Sequence, residues 1–156
     1  EILALFAQGA GHEARNVVVE LAATGPRHVV DLKADKSLGK TARFTTALVT
    51  NRASFFALFT AKPPAAQIAL GAPAVDRGQI AKATLSIPNA EGLHPFRIRV
   101  FAGDRELDWH AQNLLAGKDP APFVLPAAWN DPAGDYEIRA IDQFTGQTAK
   151  ATLKVR

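Results

Sequence analysis

The apolar residues of this chain fall in short segments rich in Val, Ile, Thr and Phe, separated every eight to twelve residues by clusters of Gly, Pro, Asn and Asp. That spacing is the mark of an all-β chain. In the C-terminal half, Phe96, Ile98 and Val100 fall on one face of a strand while Arg97 and Arg99 fall on the other. Aliphatic side chains therefore turn inward and charges outward. Tyr136, Ile138 and Ala140 repeat the pattern against Glu137 and Arg139, as do Ala151, Leu153 and Val155 against Thr152 and Lys154. No segment keeps a helical period for ten residues, and the Ala-rich stretch 61–74 is broken by three prolines, which remove backbone donors and exclude a helix.

Four strands are expected in the first part, at 16–21, 28–33, 41–50 and 54–60, with turns at Thr24-Gly25-Pro26 and Thr50-Asn51-Arg52. Lys62-Pro63-Pro64-Ala65-Ala66 biases its neighbours to extended geometry and marks the join between two units. Seven strands follow, at 67–70, 80–87, 96–102, 106–113, 121–125, 135–142 and 148–155, which is the count of an immunoglobulin-like sandwich. The expected fold is thus all-β, an antiparallel β-sandwich. Its immunoglobulin-like seven-stranded C-terminal domain, residues 65–156, is preceded by a small antiparallel β-domain, residues 1–64. The first part is short enough that it is expected to dock on the second or on another neighbour.

Composition narrows the functional classes. With 47% hydrophobic and 21% charged residues the chain is neither a disordered tail nor a membrane span, since no apolar run approaches 18 residues. Lys and Arg exceed Asp and Glu by 18 to 15, eight against five before residue 65 and ten against ten after it. No basic stripe results, so no nucleic-acid partner is expected. The absence of Cys excludes disulfides, thiolate metal sites and cysteine nucleophiles. The absence of Met, including at position 1, reads as a processed product or a piece of a longer protein. No signal peptide is legible, because the apolar start at 2–7 lacks a basic flank.

The four histidines, His12, His28, His94 and His110, stand at least sixteen residues apart and show no zinc-ligand spacing. None of Ser37, Ser54 and Ser86 lies in a nucleophile-elbow context. Asp104, Glu106 and Asp108, or Asp131 and Asp135, are dense enough to suggest paired carboxylates of glycoside hydrolysis. They read better as hairpin-tip and turn residues around Gly103-Asp104 and Asn130-Asp131-Pro132. Asn130, Asp131, Asp135 and Asp142 are oxygens of the kind a calcium ion accepts, but their spacing is not that of an EF-hand loop, and turn capping explains them. No catalytic residue, metal or cofactor is expected.

Trp109 and Trp129 are the sugar-stacking candidates, because an exposed indole offers a flat apolar face. The competing reading puts both in the core, with Trp129 plugging the end of the sandwich and Trp109 on an edge strand. Tyr136, following Asp131 and Gly134, suits a tyrosine corner that ties a sandwich strand to its preceding loop. At the N-terminus, Ile2, Leu3, Ala4, Leu5 and Phe6 form a short apolar run suited to strand donation onto another subunit's open edge. Self-association into an extracellular fibre would follow.

An ordered series runs from Gly92-Leu93-His94-Pro95-Phe96-Arg97-Ile98-Arg99-Val100-Phe101 through Asn113, Leu125-Pro126 and Asn130-Asp131-Pro132-Ala133-Gly134 to Asp142-Gln143-Phe144-Thr145-Gly146. This series resembles the immunoglobulin-like, macroglobulin-like β-sandwich near the C-terminus of large secreted bacterial proteins related to glycoside hydrolases of the β-galactosidase type. The first part resembles the small antiparallel domain that follows the catalytic barrel in such proteins, through Val17-Val18-Val19-Glu20-Leu21, Asp31-Leu32, Leu38-Gly39-Lys40-Thr41 and Phe55-Phe56-Ala57-Leu58-Phe59. The resemblance implies an ancillary, non-catalytic role beside neighbouring domains of a longer chain, outside the cytoplasm in an extracellular or periplasmic setting. It carries over no catalytic carboxylate, since that family's acid and nucleophile belong to the barrel. A carbohydrate-binding module, with polysaccharide as partner, and a fibre subunit are the rival expectations.

Overall fold

The structure is a computed structural model that describes residues 1–9, 11, 13–22 and 24–156. The chain divides into two compact units, Glu1–Pro63 and Pro64–Arg156.

In the first unit the strands β1 (Ile2–Phe6), β2 (Ala14–Glu20), β3 (Arg27–Asp31), β4 (Lys36–Thr41), β5 (Arg43–Val49) and β6 (Ala53–Phe59) are all antiparallel. One sheet has the order β1-β6-β3-β4, and β2 pairs with β5 in a second ladder. Val29, Phe44, Phe56 and Leu58 form the buried cluster, with Leu3, Leu5, Val19, Leu21 and Leu38 packed against it. Phe44 and Phe56 meet at a ring-centroid distance of 4.9 Å.

Three sequence expectations need correction here. The strand expected over 41–50 is β5, Arg43–Val49, and an unexpected strand β4 ends just before it, because the Thr41 hydroxyl donates to the Arg43 carbonyl at 2.6 Å and accepts its amide at 3.0 Å. This local bond turns the backbone, so that β4 and β5 enter different sheets. The strand expected to run to residue 33 stops at Asp31, whose carboxylate accepts the Lys33 and Ala34 amides, each at 3.0 Å. The run Ile2–Phe6 is no free donor strand. It pairs with Ala53–Ala57 of its own sheet, and its Leu3 and Leu5 reach the core. Donating it to another subunit would first break that ladder and expose those leucines.

The second unit is the immunoglobulin-like sandwich. Its strands are β7 (Gln67–Leu70), β8 (Ala74–Val75), β9 (Ile80–Ser86), β10 (His94–Ala102), β11 (Arg105–Glu106), β12 (Gln112–Ala116), β13 (Ala121–Pro126), β14 (Gly134–Asp142) and β15 (Thr148–Val155). One sheet is β13-β9-β7; the other runs β11-β10-β14-β15-β8, with β12 also on β10. Seven strands are of four residues or more, and the two-residue β8 adds to β15 in parallel. Leu85, Ile87, Phe96, Ile98, Val100, Phe123, Tyr136, Ile138, Leu153 and Val155 line the layer between the sheets. They alternate along their strands as a half-buried sheet requires.

The strand expected over 106–113 is also corrected. Leu107 and His110 are both buried while Asp108 and Trp109 between them are exposed, which is not the alternation of a strand. The chain instead makes a 3₁₀ turn over Asp108–His110, closed by His110 N–H to the Leu107 carbonyl at 2.9 Å.

Candidate functional site

The loops at one end of the sandwich hold most of the residues singled out above. Tyr136, two residues into β14, donates its hydroxyl to the Pro132 carbonyl at 2.8 Å. The ring is 2% exposed, so the loop before β14 is tied to the core by the geometry of a tyrosine corner. Asp131 Oδ2 accepts the Ala128 amide at 2.9 Å, and the Asp131 amide donates to the Ala128 carbonyl at 3.1 Å, so the turn from Ala128 to Asp131 is closed by both side chain and backbone. Gly134, at φ +143°, opens β14 in a conformation that side chains disfavour.

That turn carries Trp129, which corrects the expectation that it plugs the sandwich: it is 79% exposed. Its indole lies over Gly78, a residue at φ +82°. Gly78 N–H donates to the Ala127 carbonyl at 2.6 Å and the Ala127 amide donates to the Gln79 carbonyl at 2.8 Å. Two segments are thereby stitched together beneath one face of the ring. Trp109 is likewise outside the core, at 56% exposed, and sits in the 3₁₀ turn rather than on an edge strand. The Arg105 guanidinium stands 5.7 Å from the centroid of its ring, within cation–π range.

Two open clefts lie at this end. One, of about 510 Å³, is lined by Arg105, Trp109, Ala128, Asn130, Asp131 and Pro132. The other, of about 560 Å³, is lined by Asp76, Arg77, Gln79, Trp129 and Arg156. Trp129 sits between Ala128 and Asn130, so the one turn borders both. Beneath the first cleft, His110 is buried, with Nε2 3.5 Å from Asp131 Oδ2. That separation is too long for a good hydrogen bond, and Nε2 has no closer partner among the described residues. Burial pushes the His110 pKa down, opposed by the neighbouring Asp131 charge. Burial also pushes the Tyr136 pKa up, with the Asp131 charge adding to it and Arg77 opposing it. Neither His110 nor Asp131 stood out in the sequence as a pair, because twenty-one positions of chain separate them.

The remaining candidates are dispersed. Glu106 is gripped by Arg99, with Nε to Oε1 at 2.7 Å and a second bond between Nη2 and Oε2. Its carboxyl is held below the usual range, chiefly by that hydrogen bond, which suits a structural anion and not a proton donor. Asp104 lies exposed at the Gly103-Asp104 hairpin tip, and Asp108 begins the 3₁₀ turn. Asp135 and Asp142 sit near opposite ends of β14, about 23 Å of strand apart, too far to share one ion. Among the described residues no group of three or more His, Asp or Glu side chains is placed to hold a metal. His12 lies outside the described residues.

Asp142 belongs to a buried network at the other end of β14. His94 Nδ1 meets its Oδ2 at 2.7 Å, while the Thr145 hydroxyl donates to Oδ2 at 2.9 Å and the Phe144 amide to Oδ1 at 2.8 Å. This ties β10 to the β14–β15 turn, and both His94 and Asp142 are under 5% exposed.

No protein-family model matches the chain, and no curated protein matches it. Among solved structures it is similar to a CARDB domain from Pyrococcus furiosus, solved with di-metal ions, at 14% identity and a TM-score of 0.41 over 59% of this chain and 86% of that one. It is also similar to the glycoside hydrolase domain of Endo-D from Streptococcus pneumoniae R6, at 8% identity and a TM-score of 0.37, covering 90% of this chain and 28% of that one. A third is an isomalto-dextranase from Arthrobacter globiformis T6 complexed with panose, at 14% identity and a TM-score of 0.31, covering 98% of this chain and 30% of that one. The chain spans under a third of the length of each of these two hydrolase chains. At these scores the likeness carries no argument about ligand or reaction.

Proposed function

We propose that this chain is a non-catalytic β-sandwich region that engages carbohydrate and serves as an ancillary part of a longer secreted protein. The observation that carries the reading is the pair of solvent-facing indoles, Trp109 and Trp129, on adjoining turns at one end of the sandwich. A pyranose presents a flat C–H face that stacks on an indole, and its hydroxyls need polar neighbours. Asn130 beside Trp109, and Asp76 and Gln79 beside Trp129, supply them. Trp129 is held from below by Gly78, and the backbone that carries Trp109 is fixed by a hydrogen-bonded turn, which limits the order still to be gained on binding.

The ancillary role and the location outside the cytoplasm rest on the sequence resemblance. A non-catalytic reading is supported by the engagement of Glu106 with Arg99 and of Asp131 with its own turn. The test is titration of the chain with a panel of soluble plant and algal polysaccharides, followed by tryptophan fluorescence and light scattering. A saturable fluorescence change is expected, weakened roughly tenfold or more by Trp109→Ala or Trp129→Ala. A chain indifferent to every glycan overturns the binding reading, and concentration-dependent polymers without glycan would instead revive the fibre.

A further inference from the structure

Three guanidinium groups, those of Arg77, Arg105 and Arg156, line the two tryptophan clefts. All three residues are exposed, and none of them enters an ion pair among the described residues. Elsewhere on the same sandwich Arg99 is paired with Glu106 and Arg139 with Glu137, while Arg97 donates to the Asn113 side chain. The exposed carboxylate in these clefts is that of Asp76, while Asp131 is buried and occupied by the Ala128 amide. Among the side chains that line the two clefts, three guanidinium groups thus stand against one exposed carboxylate, with the exposed Asp104 and Asp108 in the adjoining segment but outside the lining, although the unit as a whole carries as many acids as bases.

We infer that the glycan bound at this end is anionic, its carboxylate or sulfate groups meeting Arg77 and Arg105 while its rings lie on Trp129 and Trp109. The inference rests on the carbohydrate reading above and adds the substrate class. Guanidinium groups offer paired N–H donors that match the oxygens of either anion. Arg105 is already stationed over the Trp109 ring, where it can meet an acidic substituent of a sugar stacked alongside. A neutral glycan leaves these cations without a counter-charge; an anionic one provides it.

The test uses the intact chain and two matched pairs of polymers: polygalacturonate against its methyl ester, and dextran sulfate against dextran. The charged member of a pair should bind about tenfold more tightly at low salt, and the gap should close at high salt as the charges are screened. The Arg77→Gln and Arg105→Gln variants, altered only at exposed side chains, should each lose about fivefold toward the charged polymer and clearly less toward its neutral partner. Preference within one pair identifies carboxylate or sulfate as the group recognised. Equal affinity within both pairs, or preference for the neutral members, overturns the anionic inference while leaving carbohydrate binding intact. Binding to none of the four, while a neutral glycan of the wider panel binds, also overturns it. Binding to no glycan at all overturns the reading beneath it.

Discussion

Trp129 and Gly78 are in such close contact that a Cβ on Gly78 would lie 2.5 Å from the indole ring. The glycine is required twice, once for that approach and once for its φ of +82°. The indole therefore has a backbone floor on one side and solvent on the other.

Replacing Gly78 by Ala should tilt the indole off its seat and strain the backbone. A loss of about 1 kcal/mol in stability is expected, with a larger proportional loss in glycan affinity. Thermal denaturation and a binding titration on the same variant separate the two effects. Unchanged affinity would mean that the seat plays no part in binding.

Tyr136→Phe removes the hydroxyl that holds the Pro132 carbonyl and leaves the ring in the core. A loss of about 1 kcal/mol is expected by denaturant unfolding. Faster amide exchange should appear between Ala128 and Gly134, the segment that this bond ties down.

At the opposite end of β14, Asp142→Ala removes the acceptor for the Phe144 amide and the Thr145 hydroxyl and the close partner of His94, all in a site 3% exposed. About 3 kcal/mol of destabilisation is expected. Asp142→Asn, which keeps an acceptor oxygen, should lose less. The midpoint of chemical unfolding measures both.

The pH dependence follows from His110. Its folded pKa lies below the ordinary value of 6.5, so the unfolded chain binds the proton more readily. The neutral imidazole's contribution is complete above about pH 6.5 and declines as pH falls from there toward the folded pKa. Unfolding midpoints measured from neutral to mildly acidic pH should show that decline, and His110→Leu should flatten it. A decline of equal size in the variant would assign it to other groups.

Much of the fold could be read directly. The strand expected at 148–155 matches β15 in full, and that at 67–70 matches β7, because Gly and Pro mark their ends and the alternation inside them is clean. The stretch 106–113 misled because Leu107, Trp109 and Ala111 alternate as a strand would. Burial of His110 against Asp131 and Tyr136 outweighed that local pattern and wound the segment into a 3₁₀ turn. The run Ile2–Phe6 looked detachable because it is short and apolar, whereas its pairing with β6 is a contact about fifty residues away along the chain.

The sequence by itself determined the all-β class, most of the longer strands of the second unit, and the tyrosine fit for a corner. These depend on period-two alternation and on turn chemistry, which act between near neighbours. Only the tertiary structure decided that both tryptophans face solvent, that Gly78 makes the floor beneath one of them, and that Asp131 and Asp142 belong to separate ends of the sandwich. Those outcomes depend on contacts between segments far apart in the chain, where the same apolar residue can finish as core or as surface according to what folds against it.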